Sequence, residues 1–175
     1  MTPYLKKLIK GFAVIEGDLH TDIDAQRVAR LGIPARQITT GKACHLDAHQ
    51  VSHALPWVFE QKGIELLIIE NVGNMVCPAE YDLGEDMMVT VMSTTEGDDK
   101  PLKYPAIFNA SDALIINKSD LSPHTDFDAA RARENALNIN PYLKIFETSC
   151  RNGSGIREWC EYLSGLVRKA EAEKP

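Results

Sequence analysis

Three groups of residues in this chain have types and spacings that could do chemistry. The first is Cys44-His45 together with Cys77-Pro78: two thiols and an imidazole, soft-to-borderline donors that suit zinc or nickel. Three ligands leave a four-coordinate ion one short, and a second copy across a twofold axis could complete it. The second is Asn117-Lys118-Ser119-Asp120, an N-K-x-D sequence directly after an apolar run. A carboxylate there can accept from both the N1–H and the exocyclic amine of guanine. Adenine cannot offer that pair together, and a wrong base leaves buried polar groups unpaired at ~1–3 kcal/mol each. Thr148-Ser149-Cys150, after the next apolar run, offers backbone N–H groups to a base oxygen. The third is Glu70, a carboxylate closing the unbroken run Leu66-Leu67-Ile68-Ile69. Taken alone, Glu70 is equally a solvated strand end, and Cys77 equally a small buried hydrophobe.

The elements that must position these groups follow from periodicity. A short continuous apolar run suits a strand buried on both faces of a parallel sheet, and ligands bind beyond the carboxyl ends of such strands. Strands are expected at Phe12–Ile15, Ala35–Ile38, Ile64–Glu70, Met87–Met92, Ala113–Asn117 and Lys144–Thr148. Helical spacing covers Asp22–Leu31, Cys44 to about Leu55 with Pro56 bending or restarting it, Asp126–Asn138 and Ile156–Ala170. This places Cys44-His45 on the first turn of a helix. The alternation predicts an α/β fold with a mostly parallel sheet flanked by helices, as a single domain over 1–175.

Composition excludes several classes. With 44% hydrophobic and 25% charged residues the chain is an ordinary globular sequence, and a net charge of −6 without a basic stripe argues against nucleic-acid binding. No apolar run approaches the ~20 residues needed to cross a bilayer. Four cysteines without framework spacing point to reduced thiols in a cytoplasmic protein. Cys160 fits the apolar pattern of the last helix and reads as core. His45, His49 and His53 recur every four residues. That could be a metal track, but a solvated surface is the expectation for His49 and His53.

Glu16-Gly17-Asp18, Cys44-His45-Leu46-Asp47-Ala48-His49, Glu70-Asn71-Val72-Gly73-Asn74 through Cys77-Pro78, Thr95-Glu96-Gly97-Asp98-Asp99-Lys100 and Asn117-Lys118-Ser119-Asp120 stand in an order that resembles HypB, the hydrogenase nickel-incorporation GTPases. The resemblance runs from about Ala13 to the last helix. It implies a P-loop NTPase fold of the SIMIBI type and a GTP-dependent nickel metallochaperone for [NiFe] hydrogenase. It also implies that Cys44, His45 and Cys77 are metal ligands, for nickel or zinc, at a nucleotide-promoted homodimer interface. Asn117, Lys118 and Asp120 would recognise guanine, with Ser149 and Cys150 in the adjoining base loop. Asp18 and Glu70 match acidic positions near magnesium and the attacking water. Lys103 is expected to reach a base across the dimer. The implied partners are the hydrogenase large subunit and a HypA-type accessory protein.

The family's first strand and its phosphate loop, G-x-x-x-x-G-K-[ST], have no counterpart here, so a truncated product is expected. Weak GTP or GDP binding with negligible turnover follows from the lost phosphate contacts. The alternative function is a GTPase-inactive metal-binding dimer or partner-docking module.

Overall fold

The computed structural model describes residues 2–173. Six strands alternate with helices, and every strand pair is parallel, as the sequence predicts. The strands divide into two three-stranded sheets, each belonging to one of two compact units.

One unit is built on Lys6–Gly84. Its sheet has β1 (Phe12–Asp18) in the centre, flanked by β2 (Ala35–Thr39) and β3 (Leu66–Glu70). Register sets Val14 against Ala35 and Ile68, and Glu16 against Gln37 and Glu70. The central strand is the driest, with Phe12 to Ile15 all buried. Gly11 lets β1 start close beside the next segment, since a Cβ there would stand 2.1 Å from the Gly63 carbonyl oxygen. Helix α2 covers Ile23–Arg30. Helix α3 (Ala48–Glu60) contributes Ala54 and Val58 to a cluster with Ala13 and Ile15, over which Ile38, Trp57, Leu67 and Ile69 pack.

Helix α3 corrects two expectations. It begins at Ala48, after the Asp47 N-cap, so Cys44-His45 lie in the loop ahead of the helix and not on its first turn. The reason is chemical: the Asp47 carboxylate accepts from Gln50 N–H at 2.7 Å, and the Gln50 side chain accepts from Asp47 N–H at 3.1 Å. That reciprocal capping box fixes the start more firmly than any signal at Cys44. Pro56 does not end the helix, which continues to Glu60 because Val58 on the last turn is buried in the core.

The second unit is built on Glu85–Gly165. Strand β5 (Ala113–Asn117) lies between β4 (Val89–Ser93) and β6 (Lys144–Glu147). Two short helices absent from the sequence reading, α4 (Lys100–Lys103) and α5 (Pro105–Ala110), each carry a proline in the first turn, where its missing N–H costs nothing. Helix α6 spans Ala129–Ile139, and α7 spans Ile156–Ala172. Phe108, Leu114 and Ile116 are fully buried, and the Phe146 and Trp159 rings meet edge-on at 5.1 Å between centroids. Cys160 is fully buried, as its place in the apolar pattern predicts. The remaining helix, α1, covers Thr2–Leu8.

Candidate metal centre and base pocket

Cys44, His45 and Cys77 converge although 33 residues separate the two thiols: their ligand atoms all lie within 4.8 Å of one another. Three devices bring them together. Leu46 is fully buried and anchors the Cys44-His45 loop, and its N–H donates to Asn71 Oδ1 at 2.7 Å. Gly17 makes room for that anchor, since a Cβ there would stand 2.7 Å from Leu46 Cγ. Asn74 then joins the two ligand-bearing segments directly. Its Nδ2 donates to the Cys44 carbonyl at 2.5 Å, while its Oδ1 accepts from Val76 N–H at 3.0 Å and Cys77 N–H at 2.9 Å. Cys77 opens a single 3-10 turn, Cys77–Glu80, and Tyr81 just beyond it stacks on the His45 ring at 3.7 Å between centroids.

The two sulfurs are 2.7 Å apart, and His45 Nδ1 lies 3.7 Å from Cys44 Sγ. Sulfurs bound to one ion at ~2.3 Å stand roughly 3.2–3.8 Å apart, so the thiols must spread by about 0.5–1 Å to chelate. A hydrogen bond with Cys44, followed by loss of solvent, holds the Cys77 thiol above the ordinary cysteine value. An ion therefore has to compete with that proton. The donor set fits a borderline divalent cation: two sulfurs and a nitrogen, partly open to solvent.

The acidic residues of the same unit take separate roles. Asp18 turns into its own loop, accepting from Thr21 N–H at 2.7 Å and His20 N–H at 2.9 Å. Those backbone donors hold its carboxyl below the ordinary aspartate value. Glu70 ends β3, exposed, directly across the sheet from Glu16. Glu16, only 6% exposed, was not singled out by sequence reasoning. Burial first, then the Glu70 charge and a hydrogen bond with Glu70, push its carboxyl up to about 8. Glu16 thus stands as a neutral acid at pH 7, bonded to Glu70.

In the other unit, Asn117, Asp120, Ser149 and Cys150 do come together. Asn117 Oδ1 accepts from Thr148 Oγ1 at 3.3 Å and from Cys150 N–H at 3.4 Å. Ser149 Oγ donates to Asp120 Oδ1 at 2.5 Å and accepts from the N–H groups of Arg151 and Asn152. Lys118 has φ 60°, the one non-glycine residue with positive φ among the described residues. Thr94 Oγ1 fixes that conformation by donating to the Lys118 carbonyl at 2.8 Å, and Ser119 N–H donates to Thr148 O at 3.0 Å. Lys103 is paired with Asp99 at 2.5 Å, and that carboxylate raises its pKa.

Fold and site together define a nucleotide-binding domain: the family model described as CobW/HypB/UreG, nucleotide-binding domain, matches residues 3–147. The hydrogenase maturation factor HypB of Azotobacter vinelandii is 52% identical over 154 residues, covering 88% of this chain and 50% of that protein. A crystal structure of HypB from Helicobacter pylori in complex with nickel superposes with a TM-score of 0.89 at 38% identity, covering 97% of this chain and 82% of that one. A crystal structure of HypB from Archaeoglobus fulgidus gives a TM-score of 0.83 at 39% identity, with 95% and 83% covered. The chain belongs to the CobW/HypB/UreG family and, within it, to HypB. It spans about half the length of the first curated relatives it matches. No helix among the described residues is long and apolar enough to cross a membrane.

Proposed function

We propose that this chain is a metal-handling, guanine-nucleotide-binding component of hydrogenase maturation, with nickel as its cargo. The observation that carries the reading is the convergence of Cys44, His45 and Cys77 from two separate loops onto one point. Loops cross-linked through Asn71 and Asn74 hold soft donors together without a disulfide, which is an arrangement for a cation that is taken up and given away. The nickel complex of the Helicobacter pylori structure supports nickel as that cation, and zinc fits the same donors. A second copy supplying the missing coordination makes the working unit a homodimer. Asn117, Lys118 and Asp120 read the base, with Ser149 orienting Asp120 and Cys150 at the rim of the base loop. Asp18 and Glu70 serve magnesium and water, and Lys103 contacts nucleotide in the dimer. The cargo passes to the hydrogenase large subunit with a HypA-type protein as partner.

The test is a nickel and zinc titration of the whole chain and its Cys44→Ala, Cys77→Ala and Cys160→Ala variants, with mass followed by light scattering. The first two changes should lower affinity at least a hundredfold and abolish any metal-dependent dimer, while Cys160→Ala leaves affinity unchanged. Equal losses in all three variants, or none in the first two, would refute the assignment.

A further inference from the structure

Tyr81 follows directly on the 3-10 turn that Cys77 opens. Pro78 is buried and anchors that turn, and Tyr81 leaves it in extended backbone with φ −121°. The second thiol and the phenol ring thus come from one short segment. The ring crosses to the other loop and covers the imidazole of His45, with 3.7 Å between ring centroids and 20° between the planes. Tyr81 is 43% exposed, so burial in a core does not account for its place.

The stack bears on what His45 can offer an ion. Contact over a whole ring face holds the imidazole plane. Within that plane Nδ1 is the nitrogen that lies 3.7 Å from Cys44 Sγ. An ion with metal–sulfur bonds of ~2.3 Å and metal–nitrogen bonds of ~2.0–2.1 Å sets those two atoms about 3.1–3.8 Å apart, for angles of roughly 90–120°. The imidazole therefore already stands at chelating distance from Cys44, whereas the two thiols still have to spread. A ligated imidazole also gives electron density to the ion, and the face of a phenol ring favours a cation-like partner over a neutral one.

We propose that Tyr81 is a positioning residue of the metal centre, its ring holding the His45 imidazole in the plane from which Nδ1 reaches the ion shared with Cys44 and Cys77. The assignment rests on the metal-handling reading given above and adds a division of labour to it. The segment that brings the second thiol also sets the imidazole, so two of the three donors depend on it.

The test uses the whole chain, titrated with zinc and with nickel against a chromophoric chelator. Tyr81→Leu keeps an apolar side chain and removes the ring, and should weaken both metals roughly 3–10-fold, the range of an aromatic stack. Tyr81→Phe should restore the parent affinity, because the ring face and not the hydroxyl makes the contact. A double-mutant cycle separates this role from a structural one: in a His45→Ala chain, Tyr81→Leu should change zinc affinity less than about twofold. Nitrogen NMR of the zinc-loaded protein supplies a second signature. In the parent, His45 should bind through Nδ1 alone and keep Nε2–H, and in Tyr81→Leu a population bound through Nε2 should appear. Affinity unaffected by Tyr81→Leu, an equal loss with and without His45, or a single Nδ1-bound form in both proteins would overturn the proposal. If only this assignment fails, Cys44→Ala and Cys77→Ala still abolish tight binding; if they too leave affinity unchanged, the metal-handling reading falls and the role of Tyr81 with it.

Discussion

Replacing Asn74 by alanine isolates the contribution of the clamp that joins the two thiol-bearing loops. The side chain makes three hydrogen bonds, one to the Cys44 carbonyl and two from the amides of Val76 and Cys77. A neutral hydrogen bond contributes ~0.5–1.5 kcal/mol, and water replaces part of it at a half-exposed site. The loss is then about 1–2 kcal/mol for the clamp as a whole, a roughly 5–30-fold weaker metal complex, if the clamp is what holds the ligands in place. Asn74→Asp keeps the acceptor and discards the donor, so it should fall between the two. Metal affinity by competition with a chromophoric chelator gives the magnitude. Hydrogen exchange at the Val76 and Cys77 amides, without metal, shows whether the loops have come apart. If exchange accelerates while affinity stays within twofold of the parent, the ligands find each other without the clamp and the reasoning fails. An affinity loss with unchanged exchange would equally refute it.

Glu16→Gln tests the neutral acid. A carboxyl raised from 4.5 to about 8 in the folded state binds more protons folded than unfolded, so stability is greatest at low pH and falls as pH rises through that window. By the linkage relation, a shift of that size makes the fall between pH 5 and 8 about 3–4 kcal/mol. Urea unfolding at the two pH values should show the Gln variant free of it; parallel pH profiles for the two proteins would exclude a buried neutral Glu16. Gly17→Ala places a methyl group 2.7 Å from Leu46 Cγ, and overpacking of that kind costs ~1–3 kcal/mol. A lower Tm together with weaker metal binding is expected, because Leu46 carries the loop of Cys44 and His45. A Tm equal to that of the parent would show that Leu46 is not so confined.

How far the sequence could be read depended on whether a signal was local. The N-K-x-D carboxylate and amide were legible because they follow directly on an apolar strand, and the structure keeps that order in β5. The convergence of Cys44 and Cys77 was legible as donor chemistry, whereas the clamp that produces it was not. Asn71 and Asn74 act on backbone groups 25 and 30 residues away, and no pattern announces such a pairing. The pairing of Glu16 with Glu70 was hidden for a related reason. The neutrality of Glu16 depends on β3 lying beside β1 with Glu70 in register, a fact of sheet order and not of composition. The start of α3 was misplaced because helical spacing was followed through Cys44, while the cap at Asp47 and Gln50 decides it.

The left-handed backbone at Lys118 bears on how a ligand would meet the base loop. Holding a residue with a Cβ in that region costs of order 1 kcal/mol or more, and the hydroxyl of Thr94 together with the amide of Ser119 maintains it. Asn117 and Ser149 are likewise committed to Thr148, Cys150 and Asp120. The rotameric freedom of these side chains is surrendered during folding. At the proposed base site, side chains already ordered would spare a ligand much of the ordering penalty of ~0.5–1.5 kcal/mol per side chain that a loose pocket exacts on binding. Selectivity in a pocket already set comes from the mismatch of a wrong base against fixed donors and acceptors, not from a closure that only the right base can drive.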